Sequence, residues 1–113
     1  MNEFMLLMRG DDSETASPEE MQKRMGDYMA WIKGLMEEDR FVAGQPLQPT
    51  GKLLTNKDTI LSDGPFLEPK EIIGGYVILK ATNIDEATEM ARNCPLLHHC
   101  EIMVRPVFDV QGG

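Results

Sequence analysis

A rigid turn that carries a carboxylate lies in the middle of the chain, in the segment LSDGPFLEP. Gly64 accepts unusual backbone angles, and Pro65 fixes its own φ and keeps Gly64 out of the helical region. Such a turn can aim the Asp63 carboxylate, and burial would raise its pKa and make it a proton acceptor. Asp63 can equally accept hydrogen bonds from the amides of its own turn. Both roles stay open: catalytic base or turn residue.

Two charged residues share one face of the last predicted strand, CEIMVRPVFDV. Glu101 and Arg105 are four positions apart, and side chains alternate along a strand, so both lie on the same side. If that side lines a cavity, Arg105 can hold a carboxylate or a phenolate, with Glu101 beside it. The alternative is a structural ion pair of Arg105, with Asp63, Glu71 or Glu101 as its partner. A pair with Asp63 would lower the pKa of Asp63 and spoil it as a base.

Phe66 and Tyr76 are the aromatic residues that the sequence places near such a cavity. They can stack on a flat ligand, so they join Arg105 and Glu101 as candidate ligand-binding residues. Aromatic side chains in a small protein also serve simply to fill the core, and that alternative stays open.

The segment CPLLHHC offers two thiols and two imidazoles within seven residues. Its spacing differs from that of zinc-binding motifs, and the adjacent His98 and His99 would point to opposite sides of an extended stretch. We therefore expect no metal site, and an exposed His pair in a loop between helix and strand. Cys94 is not expected to act as a nucleophile, because the sequence places no base beside it. The Gly74-Gly75 pair precedes a strand rather than a helix, so no nucleotide cofactor is expected.

The composition predicts one domain over residues 1–113, with 110–113 as a frayed tail. A net charge of -8 argues against nucleic acid and anionic membrane surfaces as partners. No apolar run reaches the ~18 residues of a membrane span, and MNEFMLLMRG is a poor signal peptide. We therefore expect a cytoplasmic protein whose cysteines, Cys94 and Cys100, are reduced thiols.

The hydrophobic pattern predicts the order strand, helix, hairpin, strand, helix, strand. Ser17 and Asn83 are predicted N-caps, and Glu20 and Glu86 would complete capping boxes. The segment FVAGQPLQPTG is expected to be a loop or an irregular edge segment. A stripe along the first helix is predicted to lie in the core: Met21, Met25, Tyr28, Ile32, Leu35 and Met36. The elements are predicted as a strand over 3–9, a helix over 17–40, a hairpin over 52–63, a strand over 74–82, a helix over 83–95 and a strand over 100–110.

Two helices on crossovers of the same hand cover one face of a sheet. The first strand, however, is apolar on both faces, with Leu6 on one and Leu7 on the other, and the strand over 74–82 has the same property. A bare apolar face of this size is unusual for a monomer. We therefore expect a homodimer, sheet against sheet, with any pocket lying between sheet and partner or under the loops.

An ordered set of short motifs runs through nearly the whole chain: FMLLMRGD, PEEM, DGPF, Lys70-Glu71, GGY, Asp85-Glu86-Ala87, Cys94-Pro95 and VRPV. As a set they resemble the YCII-related family, in its DGPF-domain branch. The resemblance implies a ferredoxin-like α+β domain, of βαββαβ type, that pairs as a dimeric α/β barrel. Some relatives are linked to chemistry on ring compounds, including dehydrochlorination, and genes of the branch often lie near those of alternative sigma factors.

One subfamily has a His–Asp pair proposed as catalytic, with the His early in the first helix. The corresponding positions here carry Glu19, Glu20, Gln22 and Lys23, and no His. Two functional hypotheses follow. The first is a cofactor-independent enzyme for proton transfer or elimination on a small cyclic or acidic molecule, with Asp63 as base and Arg105 as ligand anchor. The second is a non-catalytic dimeric module that binds a small molecule or a protein partner, linked to transcriptional regulation through that gene context.

Overall fold

The computed structural model describes residues 1–10, 16–48, 50–62 and 72–109. Asp63, Phe66 and the tail 110–113 lie outside these described residues. The elements in chain order are β1 (Asn2–Arg9), α1 (Pro18–Glu37), β2 (Phe41–Pro46), β3 (Lys52–Asn56), β4 (Thr59–Ser62), β5 (Ile73–Ala81), α2 (Ile84–Arg92), a 3-10 helix (Pro95–His98) and β6 (Glu101–Pro106).

Four strands form an antiparallel sheet in the order β2-β5-β1-β6, and β3 and β4 form a separate two-stranded hairpin. Each of α1 and α2 connects two strands that have one other strand between them. This is the strand order of the ferredoxin-like fold, and it confirms the predicted α+β class. Neither helix of the described ranges has the length and apolarity needed to cross a bilayer.

The segment expected to be a loop or an irregular edge segment forms the edge strand β2. Phe41 pairs with Leu79 of β5, and a bulge then shifts the register before Ala43. At Gly44 a Cβ would lie 2.9 Å from the backbone oxygen of Tyr76, so a larger residue does not fit. The bulge and the glycine break the side-chain alternation that reveals a strand in a sequence. The predicted hairpin exists as β3 and β4, but it stands outside the main sheet.

The core lies between the sheet and the helices. β1 contributes Phe4, Leu6 and Met8, and β5 contributes Val77, Leu79 and Ala81. Helix α1 packs on them through Tyr28, Ile32 and Leu35. Part of the predicted core stripe is therefore wrong, because half of its residues lie outside the buried core. The three methionines concerned, Met21, Met25 and Met36, are 37%, 47% and 54% exposed.

Both predicted N-caps are confirmed. Ser17 Oγ accepts a hydrogen bond from the Glu20 amide at 3.1 Å, and Asn83 Oδ1 accepts one from the Glu86 amide at 2.9 Å. These bonds satisfy amides that the first turn of a helix cannot pair internally. The Glu86 carboxylate accepts from the amide and the hydroxyl of Thr82, at 2.8 and 3.1 Å.

The second face of the sheet carries a patch of half-buried side chains, here called the open-face patch: Met5, Leu7, Tyr76, Ile78 and Met103. Their register places them side by side, with Leu7 directly between Tyr76 and Met103. Both central strands are thus apolar on both faces, as their sequences predict. Charged residues stand at the two ends of the patch, with Glu3 opposite Lys80 and Arg9 opposite Glu101.

A charged pair ties the end of α1 to the start of α2. Arg40 Nη1 donates to Glu86 Oε1 at 2.6 Å and to the Lys80 oxygen at 3.2 Å. The Arg40 oxygen accepts from the Lys80 amide at 2.8 Å. Both side chains are partly exposed, at 23% for Arg40 and 37% for Glu86. The pair connects four elements in one small network: the chain after α1, β5, the turn at Thr82 and α2.

Replacing Glu86 by Gln is expected to lower the midpoint of thermal unfolding at pH 7 and to reduce its acid dependence. The hydrogen bond from Arg40, and next the one from the Thr82 amide, lower the pKa of Glu86 from 4.5 to about 2. A carboxyl with a lowered folded-state pKa stabilises the fold above its unfolded pKa and loses that contribution as pH falls toward the folded value. Thermal melts followed by circular dichroism from about pH 5 to about pH 2 measure this loss, which Glu86→Gln should largely lack.

Glu89→Gln is the matched control. Glu89 pairs with Arg92 on the same helix at 3.2 Å, and both side chains are about two-thirds exposed. Surface pairs of this kind contribute little, so this variant should melt like the wild type across the series. An acid profile of Glu86→Gln identical to that of the wild type would contradict the role given to the pair.

Candidate ligand-binding site

A cavity of about 280 Å³ lies at the end of the sheet where β1 ends and β5 begins. Its walls come from the first half of α1, the residues at the ends of β1 and β2, the start of β5 and the 3-10 helix. Most of its surface is apolar, and the side chains responsible are Met8, Met21, Met25, Pro46, Leu47 and Leu96. The cavity is partly enclosed and has the shape of a ligand pocket rather than of a flat surface.

Two glycines near the start of β5, Gly74 and Gly75, line the cavity. A Cβ on Gly75 would come within 3.2 Å of the Gln45 oxygen and 3.3 Å of the Pro46 Cα, so β2 and β5 approach each other closely here. Gly75 therefore permits the close packing of β2 and β5 at the cavity wall.

Arg24 brings a positive charge into the cavity wall. Its side chain is only 12% exposed, although the residue belongs to an otherwise solvent-facing turn of α1. Its Nη2 donates to Glu20 Oε1 at 2.8 Å, one helical turn earlier, and its Nη1 lies 4.0 Å from the sulfur of Met21. A guanidinium held in this way presents hydrogen-bond donors in a fixed plane, which suits a carboxylate or a phenolate.

Tyr28 lies one turn after Arg24 on the same side of α1. It is 7% exposed and lines the cavity. Burial, and to a lesser degree the nearby Cys94 thiol, raise the pKa of its phenol above the ordinary value. The Tyr28 hydroxyl therefore stays protonated at neutral pH and can donate a hydrogen bond to an oxygen atom in the cavity.

His99 and Cys100 enter the cavity from the loop that follows the 3-10 helix. His98 is exposed, as predicted, but the expectation that His99 would also be exposed is wrong. The two rings lie edge to face with centroids 6.3 Å apart, and of the two only His99 lines the cavity. Cys100 Sγ donates to the Leu96 oxygen at 3.3 Å. Within the described ranges no three His, Cys, Asp or Glu side chains lie close enough to hold a metal ion.

The three described residues that the sequence predicts as ligand-binding lie outside the cavity lining. Tyr76 is half-buried in the open-face patch, beside Leu7. Arg105 is exposed on the same face, opposite Met5, and Glu101 is exposed opposite Arg9. Among the described residues, neither Arg105 nor Glu101 forms an ion pair. The ligand-binding roles of Tyr76, Arg105 and Glu101 stay predictions that concern the open face. The roles predicted for Asp63 and Phe66 also stay predictions, because these two residues lie outside the described ranges.

Two polar residues of the cavity, together with the Glu20 that pairs with one of them, carry a sequence signal that is easily missed. Glu20, Arg24 and Tyr28 follow one another at intervals of four, so they form a single stripe along α1. Because this stripe continues to Tyr28 and Ile32, which are buried, its spacing indicates that the Arg24 side chain lies close to the core. Nothing local distinguishes His99 from His98, because their different orientations arise from how the 3-10 helix docks.

These features define a ferredoxin-like α+β domain with a ring-sized cavity at one end of its sheet. The model of the YCII-related domain matches residues 3–111, and the chain therefore belongs to the YCII-related family. The prediction of the family from the motifs is confirmed. An uncharacterised protein of Rhizobium meliloti (strain 1021) is 31% identical over 96 residues, which cover 80% of this chain and 77% of that protein.

A solved structure resembles the fold over almost its whole length. It is that of the 5-chloro-2-hydroxyhydroquinone dehydrochlorinase of Burkholderia phenoliruptrix AC1100, in complex with 2,5-dihydroxybenzoquinone. The two chains superpose with a TM-score of 0.51 and 19% identity, over 93% of each. At this identity the likeness establishes the shared fold.

Thiol labelling provides a direct test of the cavity geometry. We expect iodoacetamide at pH 8 to modify Cys100 at least about tenfold faster than Cys94, because only the thiolate reacts and access limits it further. Cys94 is 2% exposed, and burial raises the pKa of its thiol to about 11. Cys100 is half-buried at the cavity wall. Peptide mass spectrometry measures the two rates, urea-unfolded protein serves as control, and equal rates in the folded protein would contradict this geometry.

Proposed function

We propose that this protein is an enzyme that carries out proton transfer or elimination on a small cyclic or acidic molecule bound in the cavity. The chemistry uses side chains and no cofactor, and we expect it to take place in the cytoplasm. The observation that carries the proposal is the meeting of Arg24, Tyr28 and His99 in one mostly apolar cavity.

The size of the cavity supports a ligand with one ring. A protein cavity of about 150 Å³ accepts benzene. A cavity of about 280 Å³ therefore has room for a six-membered ring with several substituents. Its apolar walls favour the faces of such a ring, and the polar groups favour oxygen atoms on its edge.

Arg24 is the proposed anchor for an acidic oxygen of the ligand. Its guanidinium is largely buried, and a charge-assisted hydrogen bond is stronger in such surroundings than in water. The chain has a net charge of -8, which on the whole repels anions. The positive charge of Arg24 in the cavity wall attracts a ligand anion locally.

His99 is the proposed base. In an elimination, the ring reacts as its diketo tautomer, in which two neighbouring ring carbons are saturated. The His99 imidazole takes a proton from one of these carbons, the electrons of that C–H bond form the new C=C bond, and the leaving group on the other carbon departs with its own electron pair, which leaves a quinone. Negative charge that develops on a ring oxygen is stabilised by Arg24 and by the hydroxyl of Tyr28. Asp63, the base proposed from the sequence, remains a second candidate for the proton-abstracting group.

The dehydrochlorinase that shares the fold suggests the first compound to test, because loss of HCl from a hydroxylated ring is an elimination of this kind. We expect 5-chloro-2-hydroxyhydroquinone, kept anaerobic, to release chloride faster with the protein than without it. His99→Gln should lower kcat by about 100-fold or more, the usual effect of losing a general base. Arg24→Met should raise KM by about tenfold or more, because a charged hydrogen bond to the ligand is lost.

Two variants serve as controls in the chloride assay. His98→Gln removes the exposed neighbour of His99, and Arg92→Met removes an exposed arginine of α2, so both should retain wild-type rates. Binding of 2,5-dihydroxybenzoquinone, measured by calorimetry, distinguishes the enzyme from the second hypothesis, a non-catalytic binding module. Binding that depends on Arg24 without turnover of any chlorinated ring would favour a non-catalytic binding module, and absence of both would overturn the proposed site.

We further propose that the working form is a homodimer formed through the open-face patch. A contiguous apolar surface on a sheet is a common basis for association between copies. Each end of the patch carries one acidic and one basic residue, so two copies related by a two-fold axis can bring opposite charges together. A partner of this kind would also cover Tyr76 and Arg105.

Sedimentation at micromolar concentration should therefore give about twice the chain mass of 12.7 kDa. Leu7→Asp should give the single-chain mass, because it puts a charge in the middle of the patch while Leu6 keeps the core face intact. Met29→Asp is the matched control, since Met29 is 51% exposed on the outer side of α1. A wild-type protein that sediments as a monomer would contradict the dimer.

A further inference from the structure

A second recess, between α1 and the 3-10 helix, shares a wall with the cavity. Glu20, Lys23, Asp27 and His98 line this recess and are absent from the cavity lining. Arg24, Leu96 and His99 line both spaces. The Arg24 side chain therefore borders both spaces.

Glu20 approaches Arg24 from the side of the recess. The two groups meet at 2.8 Å, and the Glu20 side chain is 47% exposed whereas that of Arg24 is 12% exposed. A ligand anion held by Arg24 in the cavity would then lie near the Glu20 carboxylate, because both interact with the same guanidinium.

We propose that Glu20 determines how much negative charge the cavity accepts, which makes it a specificity-determining residue for the ligand. The inference rests on the proposed role of Arg24 as anchor. Coulomb's law sets the effect: a carboxylate a few ångströms behind the guanidinium cancels part of its attraction and repels a ligand anion directly. Rings with one negative charge, or with a charge that develops during the reaction, are accepted. Rings with two negative charges are rejected.

The geometry separates this electrostatic role from a purely structural one. Helix α1 keeps its cap without the Glu20 side chain, because Ser17 Oγ bonds to the Glu20 backbone amide. If Glu20 merely held Arg24 in place, its removal would loosen the arginine and weaken the binding of every anion. If Glu20 tunes charge, its removal strengthens anion binding, and the gain grows with the charge of the ligand.

Three ring compounds of similar size and fixed charge make suitable probes: benzenesulfonamide, benzenesulfonate and 1,3-benzenedisulfonate. Calorimetry should be run on the full-length protein for the wild type, Glu20→Gln and Glu20→Ala. We expect both variants to bind benzenesulfonate about tenfold more tightly than the wild type does, and the disulfonate by a larger factor. The affinity for the neutral sulfonamide should stay within about twofold, because no net charge on the ligand interacts with Glu20.

Asp27→Asn is the matched control. Asp27 lies on the same helix and in the same recess, and it pairs with Lys23 at 2.9 Å rather than with Arg24. Its removal changes the net charge by the same amount, so any general effect of charge on the affinities would appear in this variant too. We expect its affinities for all three probes to match those of the wild type.

The outcomes distinguish the anchor role of Arg24 from the charge-tuning role of Glu20. Failure of the wild type to bind any sulfonate, with Arg24→Met no different, would overturn the anchor role of Arg24 and this inference with it. Sulfonate binding that depends on Arg24 but is unchanged or weakened in both Glu20 variants would overturn the inference alone. Thermal melts of each variant establish that it is folded, and Glu20→Ala decides the matter if Glu20→Gln does not fold.

Discussion

Two helices are enough to cover one face of a four-stranded sheet, and the rest of this structure depends on that limit. The covered face holds the buried core, with Leu6, Val77 and Leu79 fully enclosed. The cavity lies at the end of the covered face, with walls from α1, the 3-10 helix and the glycine pair of β5. The other face keeps its half-buried apolar side chains, which is the basis for the proposed dimer.

The position of the cavity decides which residues are available for chemistry. An arginine on an exposed turn of a helix ordinarily extends into solvent, but Arg24 comes next to the cavity and becomes nearly as buried as the core beneath it. Burial strengthens its interactions with anions and also increases the cost of leaving its charge without partners. Glu20 supplies one such partner for the charge of Arg24. The positive charge of Arg24 would also allow a chain of net charge -8 to hold the anionic ligand proposed above.

The sequence predicts most of the fold, and its errors have identifiable physical causes. The N-caps Ser17 and Asn83 are recognisable because capping depends on residues close in the chain. For the segment of β2 the sequence predicts a loop or an irregular edge segment, and the bulged edge strand matches the second alternative. The bulge and Gly44 hide the alternation of a strand, so only pairing with β5 decides between the two. The spacing along α1 wrongly predicts that Met21, Met25 and Met36 lie in the core, because it indicates an apolar stripe without giving the width of the surface that covers it. The YCII-related family was recognised from motifs spread along the chain.

The candidate site was far less predictable than the fold. Asp63 and Arg105 attracted attention because their local motifs are distinctive, whereas Arg24 and His99 belong to unremarkable stretches of sequence. Sequence alone determined the caps, the helices, the two-sided apolar strands and the family, because each of these is encoded by residues near one another or by an ordered set of motifs. Tertiary structure alone decided that Arg24, Tyr28 and His99 share a cavity and that His98 does not, because that juxtaposition arises from the docking of α1 and the 3-10 helix on the same end of the sheet.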